Sequence, residues 1–310
     1  MVRHIVVQPS IFYYAWQVEV LIHNLIEIGT NPNNIDIVCS KNENLDLWQK
    51  MATHYNTVRF FFYDDTRDNP KYISSIRPHL LQKHFTNRPE LKDEVIFYHD
   101  CDIIFTKPID YSKWLEDKTT WYLSDTVSYI GYNYIISKGQ EVFDKMVQIV
   151  DIDPKLVIDN QKNSGGAQYI MKNVDADFWA DVYKDSENLF YQITQLNNQI
   201  KATNPKYHEI QIWCADMWAV LWNAWKRGYE TPIDKNMSFS WGTSPISEWD
   251  KHNIYHNAGV TTNKGQFYKY DYRSKLPYYT ELEVGSNLCN YNYYQYVKKV
   301  GKKSIIKWIK

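Results

Sequence analysis

The sequence predicts an α/β fold, a mostly parallel sheet with helices over its faces. Two observations predict it. Strand-like apolar runs recur at residues 5–7, 35–39, 58–63, 95–105 and 121–123, and helical patterns fall between them at about 16–28 and 76–85. The chain of 310 residues is also long enough for one large core with embellishments.

Taken in order, each strand ends on polar residues. The first closes on Gln8, Pro9 and Ser10, and the third on Asp64 and Asp65. Ligands of such sheets bind beyond the carboxyl ends of the strands, so these residues and the Asp100 region are expected to converge on one crevice. The helix at 76–85 opens with Arg77 before Pro78, where a fixed positive charge and free amides suit an anion; an exposed arginine is the plain alternative.

The fourth run, V-I-F-Y-H-D-C-D-I-I-F at 95–105, sets two carboxylates inside a buried strand. A buried, unpaired carboxylate costs several kcal/mol or takes up a proton, so Asp100 and Asp102 require a partner that the flanking apolar residues cannot supply. On a strand the two point to one side and Cys101 to the other, so one divalent cation meets both. Oxygen ligands suit Mg²⁺ or Mn²⁺, which keeps waters and bridges to phosphates, and the implied ligand is a diphosphate. Without a cation, the two like charges are expected to repel and weaken the fold. After the next strand-like run comes Asp125, placed to bond hydroxyls or simply to make a turn.

The second half carries three informative pieces. In N-S-G-G-A-Q-Y-I, 163–170, Gly165 and Gly166 permit close backbone approach, and Gln168 offers both a donor and an acceptor to hydroxyls; a tight turn before a helix is the competing reading. From Trp213 the tryptophans at 213, 218, 222 and 225 recur near helical spacing, which reads as a helix with a packed aromatic face, ended by Gly228. Asp216 falls in its first turn, where a capping role and catalysis both fit a carboxylate. The third piece, I-Y-H-N-A-G-V at 254–260, carries His256, a ligand for Mn²⁺ or a hydrogen-bonded structural residue.

Composition narrows the function. With 35 Lys+Arg against 36 Asp+Glu, the net charge of −1 gives no global field toward nucleic acid. No apolar run of about 18 residues occurs, and the first residues turn polar early, so a cytoplasmic protein is expected. Cys39, Cys101, Cys214 and Cys289 form no C-x-x-C pair and read as reduced thiols. Most of the 26 Tyr, 12 Trp and 12 Phe read as packing, with a minority free to stack on a base or a sugar. Residues 298–310 hold six lysines beside Ile305, Ile306, Trp308 and Ile309, the pattern of a short segment in weak contact with a membrane, or of a packed helix.

H-D-C-D-I-I-F-T-K-P-I-D resembles the Asp-x-Asp segment of the GT-A-fold glycosyltransferases, in which a strand ends in two aspartates that hold a metal and the diphosphate of a nucleotide-sugar. R-P-H-L-L, S-G-G-A-Q-Y, the Asp216 helix and Y-H-N-A-G-V follow in the order such enzymes place their donor, acceptor and final metal-binding segments. Among subgroups the pattern is most similar to enzymes related to the hydroxyproline and serine O-glycosyltransferases. The resemblance implies a GT-A catalytic domain over 1–265, with its nucleotide-sugar part at about 1–125 and its acceptor part and metal-closing segment at about 126–265, and an irregular C-terminal extension over 266–310. It implies Asp102 and His256 as metal ligands and Asp100 on the metal or the ribose. In some families of this fold Gly and Lys follow the histidine at short, fixed spacing, whereas Lys264 lies eight residues beyond His256; its β-phosphate role departs from the pattern.

The expected activity is metal-dependent transfer of a hexose or pentose from a nucleoside-diphosphate sugar, UDP foremost, to a hydroxyl on a glycan, peptide or modified base. Asp216 is the candidate base of an inverting course; without a base there, a retaining course with Gln168 near the anomeric carbon follows. Three rivals remain: glycosylation of modified bases in DNA, a non-catalytic carbohydrate-binding protein, and a nucleotidyltransferase. Balanced charge, the aspartate pair, and the lack of a Gly-rich basic loop after the first strand argue against them in turn.

Overall fold

A computed structural model describes residues 1–306. Among the described residues nine strands follow in chain order: β1 Val2–Pro9, β2 Ile35–Ser40, β3 Arg59–Tyr63, β4 Val95–His99, β5 Ile103–Phe105, β6 Tyr122–Asp125, β7 Gly165–Met171, β8 Phe239–Trp241 and β9 Ile254–His256. Six of them make the expected mostly parallel, helix-flanked sheet, in the order β3-β2-β1-β4-β7-β6; the other three make a small sheet, β5-β9-β8.

The chain divides into two compact units. The first is Asp65–Tyr98 with Lys113–Lys235, and Met1 groups with it; the second combines Val2–Asp64, His99–Ser112 and the described residues from Asn236 onward. In the second unit, β1 and β2 are buried nearly throughout, as strands covered on both faces must be. Asp36 of β2 is fully buried and shares its carboxylate with Arg59 of β3 and Arg3 of β1, so a charge that burial would forbid becomes a clamp across three strands. The helix Phe12–Glu27 covers this core. Its fully buried Glu19 accepts from Tyr55 Oη (3.0 Å), Ser304 Oγ (2.6 Å), the Ile305 amide (2.9 Å) and Tyr278 Oη.

The run 95–105 is two strands, not one. Asn24, also on the Phe12–Glu27 helix, donates to the Phe105 carbonyl (3.0 Å) and accepts from the Phe105 amide (2.7 Å). The rest of β5 pairs antiparallel with β9, Ile103 opposite His256. The backbone groups of β5 are therefore satisfied in the small sheet, and residues 100–102 become the turn into it.

In the first unit β6 and β7 run antiparallel, with a register shift at Leu123/Ser124. Segment 165–171 is thus a strand and not a turn before a helix. Its glycines serve close approach: a Cβ on Gly165 would meet Leu123 Cβ at 2.5 Å, and one on Gly166 the Met217 methyl at 2.6 Å. The left-handed residue is their neighbour Ala167, at φ 64°. The aromatic helix runs Ala215–Lys226 and stops at Gly228, φ 78°, as expected. Trp218, Trp222 and Trp225 are buried, but Trp213 lies in the preceding 3₁₀ turn and is 60% exposed, so it is no part of the packed face.

The C-terminal helix Cys289–Gly301 belongs to the second unit, its Lys298 paired with Glu281 and its Lys299 with Glu27. Ile306 is buried. Through residue 306 the segment packs Val297, Val300 and Ile306 inward and exposes Lys299, Lys302 and Lys303; Trp308 and Ile309 lie outside the described residues. No helix among the described residues is long and apolar enough to cross a membrane. All four cysteines are free and buried.

Candidate metal centre and other candidate site residues

In the second unit, the turn after β4 and the end of β9 meet. The Asn257 amide donates to the Asp102 carbonyl (2.8 Å), and the Ile103–His256 register sets the imidazole beside the turn. His256 Nε2 lies 3.3 Å from Asp102 Oδ1 and 3.7 Å from Asp100 Oδ2. One ligand atom from each of Asp100, Asp102 and His256 falls within 4.8 Å of the others. Two carboxylates and an imidazole nitrogen fit a hard divalent cation of the Mg²⁺ or Mn²⁺ kind. The aspartates converge because the chain turns there, not through the alternation of a single strand.

The opposing charge comes from Lys269, whose ammonium pairs with Asp102 Oδ2. Burial alone would raise the Asp102 carboxyl, but Lys269 and His256 hold it well below the usual carboxylate range. Burial likewise works to lower Lys269, and Asp102 more than offsets it. The expected uncompensated repulsion is therefore absent. Lys264, the cation singled out from the sequence, is exposed, and its amide donates to Thr262. Lys269 escaped the sequence reading because it lies 167 residues from its partner in a segment without a motif.

Aromatic rings frame this centre. Trp241 stacks on His256 at 5.8 Å and 13°, and Phe239 leans against it. Tyr13 stacks on Tyr270 at 5.7 Å, beside Lys269 in the 3₁₀ turn Lys269–Tyr272. Behind the turn, buried His99 donates from Nδ1 to the Asp100 carbonyl (2.9 Å), its Nε2 meets His4 Nδ1 at 3.0 Å, and His4 Nε2 meets Tyr111 Oη at 2.9 Å. A carbonyl only accepts, so one chain of neutral tautomers fits: Tyr111 to His4 to His99 to Asp100. Burial lowers both rings, His99 to about 4.

Of the strand-end residues, Ser10 ties the loop after β2, its Oγ accepting from the Asn42 amide (2.8 Å). Pro9 pairs with Ser40 and Ser40 with Tyr63, so Gln8, Pro9, Ser10 and Asp64 share one edge of the parallel sheet. Asp64 is exposed and paired with Lys41 at 3.0 Å.

In the first unit, Asp216 is buried in the first turn of its helix but caps nothing. Its Oδ1 accepts from Tyr72 Oη (2.7 Å), and its Oδ2 is paired with Arg77. The anion that Arg77 serves in this structure is thus a side chain of the same unit. Burial first and the Asp216 charge second push the Tyr72 phenol far up, so it stays a donor. Gln168 is fully buried on β7 and accepts from Ser124 Oγ of β6 at 2.6 Å. Asp125, opposite Gly165, is exposed and accepts from the Val127 amide (3.0 Å).

Neither a family model nor a curated protein sequence matches the chain. Solved structures do. The apo structure of WbbM, a bifunctional glycosyltransferase, superposes with a TM-score of 0.52 at 11% identity over 98% of this chain; the chain spans half the length of that structure. The galactosyltransferase LgtC, in complex with donor and acceptor sugar analogs, gives 0.47 at 9% over 97% of this chain and 96% of its own. Mouse xyloside xylosyltransferase 1 gives 0.44 at 10% over 84% of this chain and all of its own. The first likeness shows the fold: the architecture is that of the GT-A glycosyltransferases.

Proposed function

We propose that this protein is a metal-dependent glycosyltransferase that moves a sugar from a nucleoside-diphosphate donor, UDP foremost, to an acceptor hydroxyl. One observation carries the reading: Asp100, Asp102 and His256 gather at a strand end of a GT-A fold. A bound divalent cation there would act as a Lewis acid toward the departing diphosphate. The charges agree with an anionic ligand, since two carboxylates, Lys269 and a dication sum to one net positive charge. Asp100, Asp102 and His256 would hold the cation, and Gln8, Pro9, Ser10, Asp64 and Lys264 are proposed for the donor side. Arg77, Asp125, Gly165 and Gly166 are also proposed for the donor, and Gln168 and Asp216 are the candidates for the catalytic step. Four buried thiols suit a cytoplasmic setting.

The course of transfer turns on Asp216. The ion pair with Arg77 accounts for the buried Asp216 carboxylate without a catalytic role. That favours the retaining course, with Asp216 anchoring its helix and Gln168 near the anomeric carbon. The test of the function is a screen of UDP-, GDP- and CMP-sugars for donor hydrolysis with and without Mn²⁺. Hydrolysis of one donor class, dependent on Mn²⁺ and lost in Asp102→Ala, is expected; no turnover of any donor would overturn the reading.

A further inference from the structure

Resting on that metal-centre reading, we propose that Lys269 is an internal counter-ion that competes with the divalent cation for Asp102 and so sets how tightly the centre takes up metal. Asp102 has two oxygens. One faces His256 Nε2 at 3.3 Å, on the side where the three ligand atoms gather, and the other is held by the Lys269 ammonium. A cation bound by Asp100, Asp102 and His256 therefore shares a carboxylate with a fixed positive charge a few ångströms away. The repulsion acts in a half-buried setting, where charges are weakly screened.

The lysine has little room to withdraw. Its side chain is 18% exposed, and it opens the 3₁₀ turn Lys269–Tyr272. That turn is anchored at its far end by Tyr272, whose carbonyl accepts from Trp16 Nε1 (3.3 Å) and whose ring stacks on buried Phe267. Ahead of the turn, the Phe267 amide and carbonyl are both bound by Asn290. Lys269 thus stabilises the metal-free carboxylate, and the same contact weakens the metal-loaded state. It is a positioning residue for the centre's charge.

Direct Mn²⁺ binding tests this, read from the signal of free aquo-Mn²⁺ in electron paramagnetic resonance, on wild type, Lys269→Met and Lys269→Arg without donor sugar. Lys269→Met is expected to bind Mn²⁺ roughly tenfold more tightly and Lys269→Arg within about threefold of wild type, because the charge is kept. The metal-free Lys269→Met protein should melt lower than wild type and gain more from Mn²⁺. If Lys269→Met does not fold, Lys269→Gln replaces it, with the same tightening expected. Uptake by the variant alone would support the proposal in its strongest form. Equal or weaker binding by the uncharged variants overturns the role of Lys269 while leaving the metal centre standing. No uptake by any of them, at millimolar Mn²⁺, overturns the metal centre itself.

Discussion

Asp216 shows how one side chain separates two chemistries. Asp216→Asn keeps an acceptor for Tyr72 but removes the negative partner of Arg77, whose side chain is 23% exposed, so a stability loss of about 1–2 kcal/mol is expected. A base contributes roughly 10²- to 10⁴-fold to transfer. On the retaining course, transfer should fall less than about tenfold while donor affinity stays put, which initial-rate measurements with a saturating acceptor would read; a larger loss in kcat restores Asp216 as the base. At this scale the sequence exposed what violated its surroundings. Asp100 and Asp102 stood out as charges in an apolar run, whereas Lys269, Tyr72 and Asn24 carry no motif and gain their roles only through distant contacts.

Elements were legible where a local pattern decides them. β2 and β3 match their apolar runs, β1 extends its run on both sides, and the helices Phe12–Glu27 and Ile76–Asn87 follow their periodicity. The break between β4 and β5 was not legible, because its causes, the Asn24 grip on Phe105 and the pairing with β9, come from far along the chain. Nor was β7, since a glycine pair reads as a turn until a neighbouring strand is known to lie against it. The elements also bury a pH dependence. Unfolded, His4 and His99 take up protons near pH 6.5; folded, both resist, His99 down to about 4. Between those values the unfolded chain binds more protons, so stability is full above about pH 6.5 and falls as the pH drops toward 4, by on the order of 2–3 kcal/mol for His99 alone. Urea denaturation at pH 7.5 and pH 5 should show the loss, and His99→Gln should flatten it; an unchanged slope in that variant would remove His99 as its source.

For the whole molecule, the sequence's alternation of strand and helix anticipated the sheet, but not that the second unit is assembled from three separated stretches of chain. Its closure depends on the last of them. Ending the protein after Lys303 removes two of the four donors to Glu19, Ser304 and the Ile305 amide, and a buried carboxylate short of partners costs about 1–3 kcal/mol per missing bond. The truncated chain should melt several degrees lower in a calorimetric scan, and Glu19→Gln should recover part of the difference; equal melting points would show that these bonds contribute nothing net.

That three-part construction also orders events during synthesis. Asp100 and Asp102 leave the ribosome more than 150 residues before His256 and Lys269, so for much of translation the acidic turn has neither its imidazole nor its ammonium. The residues that complete the first unit end at Lys235, before either of them is made. A nascent chain paused before residue 256 would therefore carry the two carboxylates without His256 or Lys269, unable to gather a cation until the final stretch arrives.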